Sequence, residues 1–71
     1  MKRDELLRRI AQSARRQGVA WRLDRQGANH EIWRCGRTCV PVARHTEIGE
    51  RLAQTMLKEL EGELGKDWWR R

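Results

Sequence analysis

No stretch of this 71-residue chain approaches the ~20 apolar residues that a membrane span requires, and its start has no long apolar run of the signal-peptide kind. A soluble, cytoplasmic protein without a membrane role is therefore expected. Cysteine occurs twice, at Cys35 and Cys39. Two thiols cannot complete a tetrahedral zinc site, and there is no second pair. If Gly36-Arg37 is a hairpin tip, the two cysteines sit diagonally, which is poor disulfide geometry. Both read as reduced thiols, with copper or zinc ligation through a histidine as the remote alternative. A glycine-rich phosphate loop is missing, and so is a carboxylate cluster for Mg²⁺. Ser13 has no histidine patterned beside it, so a hydrolytic triad is unsupported. The expectation is no metal and no cofactor. Proline occurs once, while four tryptophans and 38% hydrophobic residues argue for a folded domain over a disordered segment. A chain this short supports one domain with a thin core.

Positive charge is abundant and unevenly spread. Residues 1–45 hold eleven Lys or Arg against four acids, a net of +7, and residues 46–71 hold five against six, a net of −1, together the +6 of the chain. A basic first half reads as the electrostatic footprint of a polyanion partner; the alternative is a solvated basic surface.

Apolar periodicity supplies the elements. Leu6, Leu7, Ile10, Ala11 and Ala14 recur at three- and four-residue spacing, which predicts a helix over 3–17. Asp4 and Glu5 in its first turn and Arg15 and Arg16 in its last suit the helix dipole, and Gly18 supplies the stop. Its other face, with Arg8, Arg9, Arg15 and Arg16, is basic. From Val19 the period changes to two: Val19, Trp21 and Leu23 point one way, Arg22 and Asp24 the other, a half-buried strand over 19–24. A turn over 25–29, a strand over 30–34, a tight turn over 35–37 and a strand over 38–42 follow. Pro41 places the third strand at an edge. Thr46 is the expected N-cap of a second helix with Glu47 and Glu50 in its first turn and an apolar stripe of Ile48, Leu52, Met56, Leu57, Leu60 and Leu64. Its end falls near Gly62 or Gly65. The expected fold is α+β in two layers, order α-β-β-β-α: a three-stranded antiparallel sheet with both helices on one face. The domain spans 1–66. Residues 67–71 form a tail whose Trp68 and Trp69 have no obvious core position; they dock back, stack on RNA bases or anchor a partner chain.

Two histidines are available for proton transfer, which metal-independent RNA cleavage needs at the 2′-hydroxyl and at the leaving 5′-oxygen. His30 lies in Gln26-Gly27-Ala28-Asn29-His30-Glu31-Ile32-Trp33, with Arg22, Arg25, Arg34 and Arg44 as candidate phosphate contacts. On spacing alone it is equally an ordinary surface histidine. His45 reads as a capping or packing residue at the second helix entrance. Glu31 should face away from His30 and is a weak partner acid or base. Trp21 and Trp33 read as sheet packing rather than base stacking.

The segments Gly27-Ala28-Asn29-His30-Glu31-Ile32-Trp33, Val40-Pro41 and Arg44-His45-Thr46-Glu47-Ile48, in this order, resemble the HicA toxins of type II toxin–antitoxin systems. The resemblance runs from the first helix through Leu60; the tail has no counterpart. It implies a fold like the double-stranded-RNA-binding domain, and an endoribonuclease that cleaves mRNA and arrests growth, with His30 as its essential histidine. It also implies a HicB-like antitoxin that covers His30, any oligomer forming through that antitoxin. The RNA would be held by Arg8, Arg22, Arg25, Arg34 and Arg44, with Asn29 and His45 as secondary candidates. A non-catalytic RNA-binding module and a pure protein-interaction domain are the competing expectations.

Overall fold

The computed structural model describes residues 1–66 and 68–70. Asp67 and Arg71, both in the expected tail, lie outside the described residues. The first helix, α1, spans Arg3–Gln17 as its periodicity predicts, burying Leu6, Ile10 and Ala14 on one stripe. Gly18 ends it at φ +71°, where its N–H reaches Arg15 O and the Val19 N–H reaches Ala14 O at 2.8 Å. This left-handed stop is one that glycine adopts without a Cβ penalty.

Three strands follow as an antiparallel meander in the order β1-β2-β3: β1 Trp21–Gln26, β2 His30–Cys35 and β3 Thr38–Ala43. The first begins and ends two residues later than expected. Val19 is occupied in the helix stop, and a bulge between Leu23 and Arg25 inserts Asp24 and carries pairing on to Gln26 opposite Glu31. A period-two pattern cannot register an inserted residue. The third strand is an edge, as Pro41 requires, with Pro41 opposite Ile32 and exposed.

The register sorts the sheet into two unlike faces. Cys35, Val40 and Val42 are wholly buried on one, where the helices pack, and Trp21 and Trp33 stack beside them with ring centroids 4.8 Å apart. Arg22, Asp24, Ile32, Arg34, Cys39 and Pro41 belong to the other. The expected α+β layout, helices on one side of an open three-stranded sheet, is what the chain adopts.

The second helix departs from expectation at its start. Residue Thr46 is not an N-cap and Glu47 is not helical; α2 spans Glu50–Glu59 with Gly49 at its cap. The reason is a competing use of the backbone. Arg3 N–H donates to Thr46 O at 2.9 Å, Ile48 N–H to Met1 O at 2.8 Å, and Lys2 bridges Glu47. Residues 46–48 are paired with the chain's first three residues, and backbone groups so committed cannot also form the first turn of a helix. The late start also moves the stripe: Ala53, Met56 and Leu57 are buried, whereas Leu52 is 48% exposed. A break at Leu60 leads into α3, Glu61–Leu64, whose Leu64 completes the row.

Three contacts lock the C-terminal end. Gln17 Nε2 donates to Leu64 O, joining α1 to α3. Glu63 Oε1 accepts from Arg37 N–H at 3.0 Å, latching the β2–β3 hairpin tip. Trp68, opening a 3₁₀ turn over Trp68–Arg70, is 5% exposed and donates its indole N–H to Leu57 O at 2.9 Å. Of the roles expected for the tail tryptophans, Trp68 takes the docking one; it is a core residue, and the packed domain continues past position 66.

Trp68→Ala should therefore lower unfolding stability by about 3–5 kcal/mol in a urea titration followed by circular dichroism, because it opens a large cavity. Trp68→Phe should cost far less, about 1 kcal/mol for the lost hydrogen bond. Equal effects of the two would show that the ring is not packed as described.

Candidate functional site

The β1–β2 turn closes on His30: the Gly27 N–H donates to His30 O at 2.7 Å. His30 is the first residue of β2, lies opposite Ala43 of β3 and is exposed. Strand alternation gives it the side of Ile32 and Arg34, the face without helices. Among the described residues its imidazole makes no hydrogen bond or ion pair.

Glu31 turns the other way, as expected, and is held from two directions. The Trp33 indole N–H donates to Glu31 Oε1 at 3.0 Å, and the Arg3 guanidinium binds the same oxygen. The Trp33 hydrogen bond, helped by the positive charges of Arg3 and Arg44 and opposed by desolvation, holds the Glu31 carboxyl below its ordinary value of 4.5. A carboxylate so committed is a poor proton acceptor at neutral pH, which weakens its case as His30's partner. Arg3 also donates from Nε to Ala43 O at 2.9 Å, the carbonyl of the residue opposite His30. One side chain from the first turn of α1 thus ties together both strands beside the histidine. Sequence reasoning missed Arg3. It lies 28 residues from Glu31 and matches no motif, so only the folded chain brings it there.

The predicted phosphate contacts divide between two sides of the domain. Arg22 and Arg34 are cross-strand partners on the open sheet face, and Asp24 lies between them, 3.8 Å from Arg22 Nη1 and 3.4 Å from Arg34 Nε. The trio keeps a net charge of about +1, and exposed pairs of this kind contribute little to stability. Arg25 is exposed opposite Ile32 on the same face. Arg44 follows Ala43 at the rim, close enough for its charge to act on Glu31. Arg8 is elsewhere. It is on the solvent side of α1, lining a hollow of about 190 Å³ with Ala11, Gln12 and Arg15, and α1 packs on the opposite sheet face.

The secondary candidates are both exposed, Asn29 in the turn before His30 and His45 two residues after β3. His45 does not cap or pack at a helix entrance, since α2 begins only at Glu50. The cysteines lie on opposite faces, Cys35 buried and Cys39 exposed, and both are free. Burial, reinforced by the Glu63 charge, pushes the Cys35 thiol up to about 11, so it is an inert packing group. Among the described residues no three His, Cys, Asp or Glu side chains gather as metal ligands.

Chemically, this open face carries one exposed imidazole at the start of β2 and several guanidinium groups farther along the strands, a surface suited to a phosphodiester. The Glu31 carboxylate carries a pH consequence. Its folded value is depressed, so the stability it contributes is present above the unfolded value near 4.5 and is lost as pH falls through the lower folded value. Glu31→Gln should accordingly flatten the acid limb of the stability–pH curve below about pH 4.5 while changing its slope little near neutrality. An unaltered acid limb would remove the clamp from the account. In comparisons with known proteins, no family model, curated protein or solved structure matches this chain.

Proposed function

We propose that this chain is a metal-independent endoribonuclease of the HicA toxin kind, with His30 as the proton-transfer group. One observation carries the reading. His30 stands exposed on the open sheet face with Arg22, Arg25 and Arg34, while its acidic neighbour Glu31 is turned away and neutralised by Arg3. The resemblance through Gly27 to Trp33, Val40-Pro41 and Arg44 to Ile48 supports the same reading.

In this mechanism the neutral imidazole takes the 2′-hydroxyl proton of RNA, or the imidazolium gives one to the leaving 5′-oxygen. The 2′-oxygen attacks phosphorus as the bond to the 5′-oxygen breaks, leaving a cyclic 2′,3′-phosphate. Guanidinium groups on the face stabilise the charge of the pentavalent phosphorus, matching its oxygens in pairs. Such contacts hold the backbone without reading bases. The working partner would be mRNA in the cytoplasm, and a HicB-like antitoxin would neutralise the protein by covering His30.

A second reading, a non-catalytic RNA-binding module, is favoured by a specific observation: no described side chain orients the His30 imidazole. Incubating purified protein with labelled mRNA in EDTA separates the two, since the module binds without cutting. His30→Ala should lower the cleavage rate by about 10²-fold or more and relieve growth arrest, with an unchanged circular dichroism spectrum because the side chain is exposed. Full cleavage by that variant would end the assignment.

A further inference from the structure

A second concave surface lies away from His30. A groove of about 390 Å³ runs between α1 and the C-terminal 3₁₀ turn, lined by Arg9, Gln12, Ser13, Arg16, Trp69 and Arg70, with Trp68 at its base. This volume falls within the roughly 300–1,000 Å³ typical of small-ligand sites. Residues 9, 12, 13 and 16 have the i, i+3, i+4, i+7 spacing of a single helix face, so the backbone positions of Arg9 and Arg16 lie about 10 Å apart along the helix axis with Gln12 and Ser13 between them.

We infer that this groove binds a nucleotide unit of a single-stranded nucleic acid, its base stacked on Trp69 and its phosphates held by Arg9 and Arg16. Four observations support it. First, the aromatic platform is anchored. Trp68 is buried and hydrogen-bonded to Leu57 O, and Trp69 meets it edge to face with centroids 6.0 Å apart. Second, Trp69 is half-buried and lines the groove, with the Arg70 guanidinium 5.9 Å from its ring centroid. Third, no described lining residue is acidic. Fourth, the two helix cations of the lining, Arg9 and Arg16, are only lightly engaged. Arg9 has an exposed ion pair with Glu5 at 3.6 Å, and Arg16 makes no hydrogen bond or ion pair among the described residues.

The chemistry favours a nucleotide over an acidic peptide. Carboxylates would satisfy the arginines and leave the indole unused, whereas a nucleotide uses both. Base–aromatic stacking tolerates any base because each has a π face, and guanidinium groups track the backbone. The groove lies on the α1 side of the domain, as does Arg8. It is therefore a contact separate from the open sheet face that carries His30. The inference takes from the proposed function only that the partner is nucleic acid; it does not need His30 to cut.

The test uses a fluorescein-labelled hexamer of 2′-O-methyl uridine, which lacks the nucleophile for cleavage, and the intact chain. Anisotropy reads affinity, and the indole N–H resonances of the four tryptophans report the place of binding. The Trp69 resonance should shift more than those of Trp21 and Trp33. Trp69→Ala and the double variant Arg9→Ala/Arg16→Ala should each weaken binding by about tenfold, with Trp69→Phe intermediate, and the double variant should flatten the log–log salt slope by about 1.4. Trp69→Phe and the resonance shifts keep the test valid if Trp69→Ala misfolds. Affinities unchanged within about twofold in all three variants would overturn the inference. So would a Trp69 shift produced by a hexaglutamate peptide but not by the oligonucleotide, which would assign the groove to a protein partner. Cleavage of ordinary mRNA is scored separately, so an inactive His30 and an empty groove are distinguishable failures.

Discussion

A three-stranded sheet has two faces, and this chain carries enough apolar side chains to cover one. Cys35, Val40 and Val42 are completely withdrawn from water beneath the helices, and the stacked pair Trp21–Trp33 extends the covered surface toward its border. Burial of apolar area, at roughly 25 cal/mol per Å², is the main favourable term available to so short a chain. That constraint places α1, α2 and α3 together on one side. The opposite side is left to arginines that need water or an anion.

The polar groups that join the layers are few and fully used. Among the described residues no buried side-chain nitrogen or oxygen lacks a hydrogen-bond partner. Arg3 and Glu31 are the most enclosed ion pair, with side chains 17% and 19% exposed, and each has a further hydrogen bond, to Ala43 O and from Trp33. Such pairs add modest net stability, because desolvation offsets most of the attraction, but removing one partner strands the other. The pair's structural effect is geometric. It holds the start of α1 against the ends of β2 and β3 where His30 emerges.

Much of the fold was legible from periodicity. The bounds of α1 follow from its apolar stripe, its charged ends and Gly18, all local signals. The order of the strands and the edge position of Pro41 follow from alternation and from a missing N–H. The start of α2 was not legible, because Thr46-Glu47 has sound N-terminal helix chemistry and loses it to pairing with Met1, Lys2 and Arg3. Trp68 was equally hidden. Nothing near it in the chain says that an indole at position 68 finds the carbonyl of Leu57.

The candidate site shows the same division. The sequence by itself determined a basic first half, a turn delivering His30 to a strand, and the opposite orientations of His30 and Glu31, since strand alternation depends only on adjacent residues. Tertiary structure decided what surrounds that histidine: Arg3 clamping Glu31 from 28 residues away, Asp24 shared by Arg22 and Arg34 across a bulge, and Arg8 sent to the far side of the domain. The physical reason is range. Periodicity and capping act within a few residues, whereas salt bridges, grooves and core positions depend on which distant segments the burial of a single sheet face brings into contact.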